Sequence, residues 1–108
     1  MKEGQALKGH LDVLLLAALE QGPAHGYALK ETLRQTSGGQ FDLPTGTIYP
    51  ALHRLERQHL VKSTWSVVEG RRRRTYQLTP TGKKRLARDR KASLRFATTL
   101  QTMLEPSS

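Results

Sequence analysis

Four consecutive arginines at positions 71–74 are the residues of this chain with the clearest chemistry. Adjacent guanidinium groups repel one another unless they stay hydrated or meet an anion. A polyanion such as DNA is the favoured partner of Arg71, Arg72, Arg73 and Arg74, because each neutralised phosphate releases a condensed counterion. The alternative is a basic loop that remains solvated.

The charge of the whole chain is concentrated in the same region. Residues 1–70 hold seven Lys/Arg and seven Asp/Glu, whereas residues 71–108 hold eleven Lys/Arg against two acids, Asp89 and Glu105. The C-terminal part therefore carries the entire net charge of +9. This asymmetry favours a surface for a polyanion in that part of the chain.

A second candidate binding surface precedes the arginines. Ile48, Leu52 and Leu55 recur at i, i+4 and i+7, which predicts a helix with these residues on its inner side. A threonine of Thr45-Gly46-Thr47 is expected to cap its start, with Pro50 in the first turn, and Leu60-Val61 is expected to close it. Two threonines at its start and the polar side chains opposite the inner side are predicted DNA contacts: Thr45, Thr47, Tyr49, His53, Arg54 and Arg57. Arg pairs bidentately with guanine, and His and Thr donate to bases or phosphates. For Tyr49 the alternative is a partly buried packing residue between this helix and the next element.

Two further helices are predicted before this one. Residues 11–19 are densely apolar over more than one helical face, and Gln21-Gly22-Pro23 ends that helix. A short helix follows His25-Gly26-Tyr27 and stops at Ser37-Gly38-Gly39. Tyr27 is expected to anchor the short helix, and its hydroxyl is a candidate phosphate contact.

The period of the pattern changes after residue 60. Residues 61–68 alternate with a period near two, residues 69–72 form a turn, and residues 74–78 return as a second strand, which predicts a β-hairpin with a basic tip. Trp65 is expected in the core or at the base of this hairpin. Thr79-Pro80 caps a helix that runs to about Leu104, roughly 38 Å at ~1.5 Å per residue.

Three helices followed by a hairpin form the order of a winged helix-turn-helix, in which the third helix enters the major groove and the hairpin lies along the backbone or minor groove. The predicted class is α+β, mostly α, with a long C-terminal dimerisation helix. Residues 8–79 form the predicted DNA-binding domain, and residues 80–104 form the dimerisation helix.

The chain resembles the PadR family of bacterial transcriptional regulators from about residue 8 to the long helix. The most specific part is Gly46-Thr47-Ile48-Tyr49-Pro50-Ala51-Leu52 with its Arg-Leu-Glu extension. Three other segments match: Lys8-Gly9-His10-Leu11, His25-Gly26-Tyr27 and residues 70–79. The resemblance implies a dimeric winged-helix repressor with a C-terminal helix at the dimer contact, as in the short subfamily with a single such helix. It also implies, for some members, a small-molecule effector at the dimer interface.

Two positions depart from the family pattern. His59 stands where the family usually has Gly, so the exit of the third helix is expected to be strained or differently shaped. Thr75 stands where a second Tyr often precedes the Tyr-x-Leu-Thr of the hairpin, which is expected to alter a contact there.

The apolar second half of the long helix projects past a small core, which favours an intermolecular contact. A two-fold dimer is the symmetric solution, and it places two reading helices one helical turn apart on a palindromic operator. The predicted interface residues are Leu11, Leu15, Leu94, Ala97, Leu100, Met103 and Leu104.

Other classes of function are disfavoured. The chain has no Cys, and its four His show no metal-ligand spacing, so no metal site, no cofactor and no enzyme is predicted. The polar N-terminus and the absence of a long apolar run indicate a cytoplasmic protein without a membrane segment. The alternative function is an interaction module that binds an acidic protein. RNA binding comes third, because the major groove of A-form RNA is too narrow to admit a recognition helix.

Overall fold

The computed structural model describes residues 9–106, and it confirms a mostly helical α+β winged helix-turn-helix. The helices are α1 (Leu11–Ala18, continued by a 3₁₀ turn, Leu19–Gln21), α2 (Gly26–Thr36), α3 (Thr45–Arg57) and α4 (Pro80–Leu104). The strands are β1 (Ala24–His25), β2 (Val61–Val68) and β3 (Arg71–Leu78).

The sheet is antiparallel with strand order β1-β3-β2, so β3 lies in the middle. The sequence did not predict β1, which pairs Ala24 with Tyr76 and His25 with Thr75. Val68 pairs directly with Arg71, and Glu69 and Gly70 have φ of 53° and 76°. The predicted four-residue turn is therefore wrong. A two-residue turn with positive φ at both positions matches the twist of the strands, and it places Arg71 and Arg72 in β3.

The start of α3 differs from the prediction. Its N-cap is Pro44, and no side chain caps it, so the expected threonine cap is wrong. Pro50 is the sixth residue of the helix rather than a residue of its first turn. A proline there removes a backbone donor to the carbonyl four residues earlier, that of Gly46.

The end of α3 was predicted at Leu60-Val61, but the helix stops at Arg57. The Leu60 N–H donates to the Leu55 carbonyl at 3.0 Å, and the His59 N–H donates to the Glu56 carbonyl at 2.9 Å. These two bonds form a Schellman motif, which requires a left-handed residue after the cap. His59 is that residue, with φ of 61°, so the predicted strain at the helix exit is confirmed.

Sixteen buried apolar residues from all four helices, β2, β3 and the loop before α3 form one core. Leu15 has 0 % and Leu11 has 8 % of its surface exposed, because α1 packs between α2, α3 and α4. The prediction that Leu11 and Leu15 contact a partner subunit is therefore corrected, because their side chains are buried inside the protomer. Tyr76 is also fully buried, and burial raises the pKa of its phenol.

The first turns of α4 belong to this core. The Thr79 hydroxyl accepts from the Gly82 N–H at 2.9 Å, which confirms the predicted cap. Leu86 is buried, whereas the side chains of Leu94, Phe96, Leu100, Met103 and Leu104 are 41–78 % exposed. The helix thus extends past the domain, and the described part of the chain measures 59 × 28 × 21 Å. Among the described residues, no helix is long and apolar enough to span a membrane.

Candidate nucleic-acid interface

One side of α3 is open to solvent. Thr45, Thr47, His53 and Arg57 are exposed, as the helical period predicts. Within residues 9–106, no carboxylate lies in ion-pair distance of Arg57. These four side chains present hydrogen-bond donors and one uncompensated charge on a single helix.

Arg54 lies on the same helix but has an intramolecular partner. Its Nη2 donates to a carboxylate oxygen of Asp12 in α1. This ion pair links α3 to α1, and Arg54 would have to leave Asp12 to reach a base. The DNA contact of Arg54 stays a prediction.

Tyr49 is half-buried and packs against the core. Its ring lies so close to the start of α2 that a Cβ on Gly26 would fall 2.5 Å from a ring carbon. Tyr49 is thus a partly buried packing residue, which was the alternative to the DNA contact that the sequence favoured. It packs against α2, however, and not against the element that follows α3. Gly26 explains why the short His-Gly-Tyr motif carries a glycine.

The four arginines of β3 separate into different environments because successive side chains alternate between the faces of a strand. The hairpin of β2 and β3 is the wing of this fold. Arg74 of β3 is held by β2 and α3: its Nε donates to the Ser63 hydroxyl at 2.8 Å and its Nη2 to Glu56 at 3.2 Å. Ser63 in turn donates to Glu56 at 2.6 Å. Arg74 therefore links the wing to α3, and its phosphate contact stays a prediction.

Arg73 lies on the other face of β3, where its Nη1 is 3.0 Å from Nε2 of His25. His25 is the N-cap of α2, and its Nδ1 accepts from the Ala28 N–H at 3.2 Å. A neutral imidazole has one donor and one acceptor, so an accepting Nδ1 leaves a donor on Nε2 that faces the Arg73 donor. Burial, and then the Arg73 charge, lower the pKa of His25 below its ordinary value of 6.5. An anion between the two side chains would satisfy both donors.

Tyr27 stands near this pair, two residues after His25. Its side chain is 53 % exposed, so it does not anchor α2 as expected. The contact of its hydroxyl with a phosphate stays a prediction.

Arg71 and Arg72 are exposed near the tip of the wing, and neither has a carboxylate partner among the described residues. Arg72 lies over the ring of Trp65, with its guanidinium carbon 4.8 Å from the ring centroid. Trp65 is 59 % exposed and lies in the middle of β2, so its predicted place in the core or at the base of the hairpin is wrong. Val67, on the same face of β2, is 70 % exposed as well.

Comparison with known proteins decides the family. The model of the PadR-like transcriptional regulator family matches residues 15–88, from α1 through the wing into α4. The chain belongs to the PadR family. Membership places this PadR protein among transcriptional regulators, which bind DNA, rather than among enzymes.

Individual relatives agree with this membership. The transcriptional regulator Rv3488 of Mycobacterium tuberculosis is 39 % identical over 92 residues, which is 85 % of this chain and 81 % of the relative. A crystal structure of a PadR-like transcriptional regulator from Bacillus cereus has a TM-score of 0.83 at 28 % identity, over 95 % of this chain and 99 % of that one. A PadR family transcription regulator from Clostridium difficile has a TM-score of 0.73 at 33 % identity, over 87 % of this chain and 96 % of that one.

His25, which contacts Arg73 in the structure, was not among the DNA contacts predicted from the sequence. Its position before Gly26, at the start of a helix, was visible in the sequence. Its contact with Arg73 was not, because the two residues are 48 positions apart and meet only through β1.

Proposed function

We propose that this PadR protein is a dimeric, sequence-specific DNA-binding repressor that acts in the cytoplasm. The single observation that supports it most is the set of uncompensated cations on two DNA-reading elements, Arg57 on α3 and Arg71 and Arg72 on the wing. Among the described residues, six other arginines are paired with carboxylates, whereas these three are free to meet phosphates.

The proposed contacts divide by element. Thr45, Thr47, His53 and Arg57 would face the major groove from α3, because the exposed side of the helix after the turn is the reading side in this fold. Arg71 and Arg72 would contact phosphates from the wing. His25 and Arg73 would hold a further phosphate at the start of α2, where donors from their two side chains lie 3.0 Å apart. Tyr27 remains a predicted phosphate contact.

The dimer would form through the exposed end of α4. Residues 8–79 would form the DNA-binding domain and residues 80–104 the dimerisation helix, although Gly82 and Leu86 also pack in the protomer core. The proposed contact surface is the exposed apolar set Leu94, Ala97, Leu100, Met103 and Leu104. A two-fold axis there would present two copies of α3 to a palindromic operator, and an effector at this interface would change their spacing.

Fluorescence anisotropy tests the DNA-binding part of this proposal. The duplex upstream of the protein's own gene is compared with a scrambled duplex over a salt series. We expect a preference for the upstream duplex and a steep fall of affinity with salt. Absence of binding to either duplex at low salt would favour the alternative, an interaction module for an acidic protein.

A matched pair of double variants tests the free wing cations. Arg71→Ala with Arg72→Ala should lower the slope of log affinity against log salt by about 1.8 per protomer, since each lost phosphate contact is worth about 0.9. Lys91→Ala with Arg95→Ala removes the same charge from α4 and should keep the slope. Equal slopes for the two double variants would contradict the wing assignment.

Repression is tested separately from binding. A reporter gene behind the upstream region should become more active when the regulator gene is deleted. A fall in reporter activity would identify an activator instead.

A further inference from the structure

Trp65 and Arg72 form a stacked pair on the wing that no role yet explains. Trp65 is the only tryptophan of the chain. Large exposed aromatic side chains lose the benefit of burial, so an exposed Trp on a surface that meets a ligand calls for a function. The indole here carries two guanidinium groups, those of Arg72 at 4.8 Å and Arg74 at 5.8 Å from its centroid.

The two guanidinium groups differ in their partners. Arg74 is neutralised by Glu56 and hydrogen-bonded to Ser63. Arg72 has neither a carboxylate nor a hydrogen-bond acceptor among the described residues, so the Trp65 ring is the contact that limits its motion. Stacking on a ring occupies the face of a guanidinium and leaves its N–H groups at the edge free.

The register of the hairpin explains why this pair forms. Trp65 lies directly opposite Arg74, and Val67 lies opposite Arg72, so all four side chains share one face. A diagonal neighbour on the same face is within reach of a long side chain, which brings Arg72 back over the ring. Arg71, on the other face, has no such ring beside it.

We propose that Trp65 is a positioning residue that holds Arg72 extended for a DNA phosphate. An arginine on a wing tip otherwise loses much side-chain freedom when it binds, and a stacked arginine has already lost part of it. The inference rests on the proposed DNA-binding function and adds to it the residue that orders one of its cations.

The first test needs no DNA. Trp65 emission reports its own surroundings, so quenching by acrylamide is compared in the wild type, Arg72→Ala and Arg71→Ala. We expect Arg72→Ala to increase the quenching constant, because a covered ring face becomes open, and Arg71→Ala to leave it unchanged. An unchanged constant in Arg72→Ala overturns the stacked pair, whether or not the protein binds DNA.

The second test is a double-mutant cycle on DNA affinity at fixed salt. Trp65→Ala should weaken binding about three- to tenfold in the wild type and have no further effect in the Arg72→Ala background. An equal loss in both backgrounds would mean that Trp65 touches DNA independently of Arg72, and no loss in the wild type would mean that it has no role. Either result overturns the proposal.

Two controls separate positioning from folding of the wing. Trp65→Phe keeps a ring face and should retain most of the affinity, whereas Val68→Ala trims an exposed side chain on the other face and should change nothing. If the wild type itself fails to bind DNA, the proposed function fails while the quenching result still decides the stacked pair.

Discussion

His59 occupies a backbone conformation that glycine adopts far more easily. The left-handed region costs an ordinary residue about 1–2 kcal/mol, because its Cβ crowds the next carbonyl. The Schellman bonds of Leu60 and His59 hold it there nonetheless. The cost is local to the exit of α3, where the chain turns into the wing.

We expect His59→Gly to stabilise the protein by about 0.5–1 kcal/mol. Removing the strain gains more than the added flexibility of glycine costs in the unfolded chain, which is about 0.4–1 kcal/mol. Urea denaturation measures the change. Gln58→Gly, one position earlier with φ of −85°, is the control and should destabilise.

His25 makes stability depend on pH in a defined direction. Burial, followed by the charge of Arg73, lowers the pKa of His25 below 6.5, so the folded state prefers the neutral ring. As the pH falls below 6.5, the unfolded chain takes up a proton that the folded state resists, and stability is lost. This contribution is fully present above that range.

His25→Asn removes the titration and keeps an N-cap, because the Asn side-chain oxygen accepts from the same backbone N–H. The variant should lose less stability than the wild type between pH 7.5 and about pH 5.5. Thermal unfolding of both proteins at several pH values measures this difference. Parallel curves would show that His25 does not titrate differently in the two states.

At the scale of elements, the contact between α4 and the end of α3 decides where the long helix points. A Cβ at Gly82 would lie 1.9 Å from the Leu60 carbonyl oxygen, an impossible approach. Thr79 also donates from its hydroxyl to that carbonyl, at 3.1 Å. The start of α4 thus packs directly against the backbone of Leu60, whose displacement would cost free energy.

Gly82→Ala should therefore destabilise the protein by about 1–3 kcal/mol or more, since the helix must shift to admit the methyl group. Gly46→Ala in α3 is the matched control, because nothing lies within 4 Å of its Cβ position. That variant should be as stable as the wild type or slightly more stable. A Gly82→Ala protein of wild-type stability would refute the close packing of α4.

At the scale of the whole molecule, the far end of α4 leaves large apolar side chains in solvent. Leu100 is 41 % exposed and Met103 is 75 % exposed in the protomer. Contiguous apolar surface of this kind on a small domain is typical of an association surface. The N-terminal end of α4 is packed in the core, so a second subunit would bind a helix whose direction is already fixed.

Leu100→Asp should convert a dimer into a folded monomer, because a charge in an apolar interface costs more than the contact gains. Size-exclusion chromatography with light scattering gives the mass. Thr102→Asp, about 200° around the helix from both Leu100 and Leu104, is the control and should remain dimeric. A dimer that persists in Leu100→Asp would move the interface to another surface.

Much of the architecture could be predicted from the sequence, because its signals are local. The apolar period of α3, the Thr79-Pro80 start of α4 and the alternation of the wing each act within a few residues. The glycine expected at the exit of α3 likewise pointed to strain at His59 before its φ was known. The two-residue turn was missed because the pairing of Arg71 with Val68, which makes Arg71 part of β3, is a contact between strands that the pattern along the chain does not show.

The roles of individual arginines were decided only in three dimensions. Arg54 and Arg74 look like Arg57 and Arg72 along the chain, yet Asp12 and Glu56 neutralise the first two. The packing of Tyr49 against Gly26 and the burial of Leu15 in the core were likewise visible only in the tertiary structure. Each outcome depends on a partner that is distant in sequence, and tertiary packing alone brings such partners within the few ångströms over which ion pairs and van der Waals contacts act.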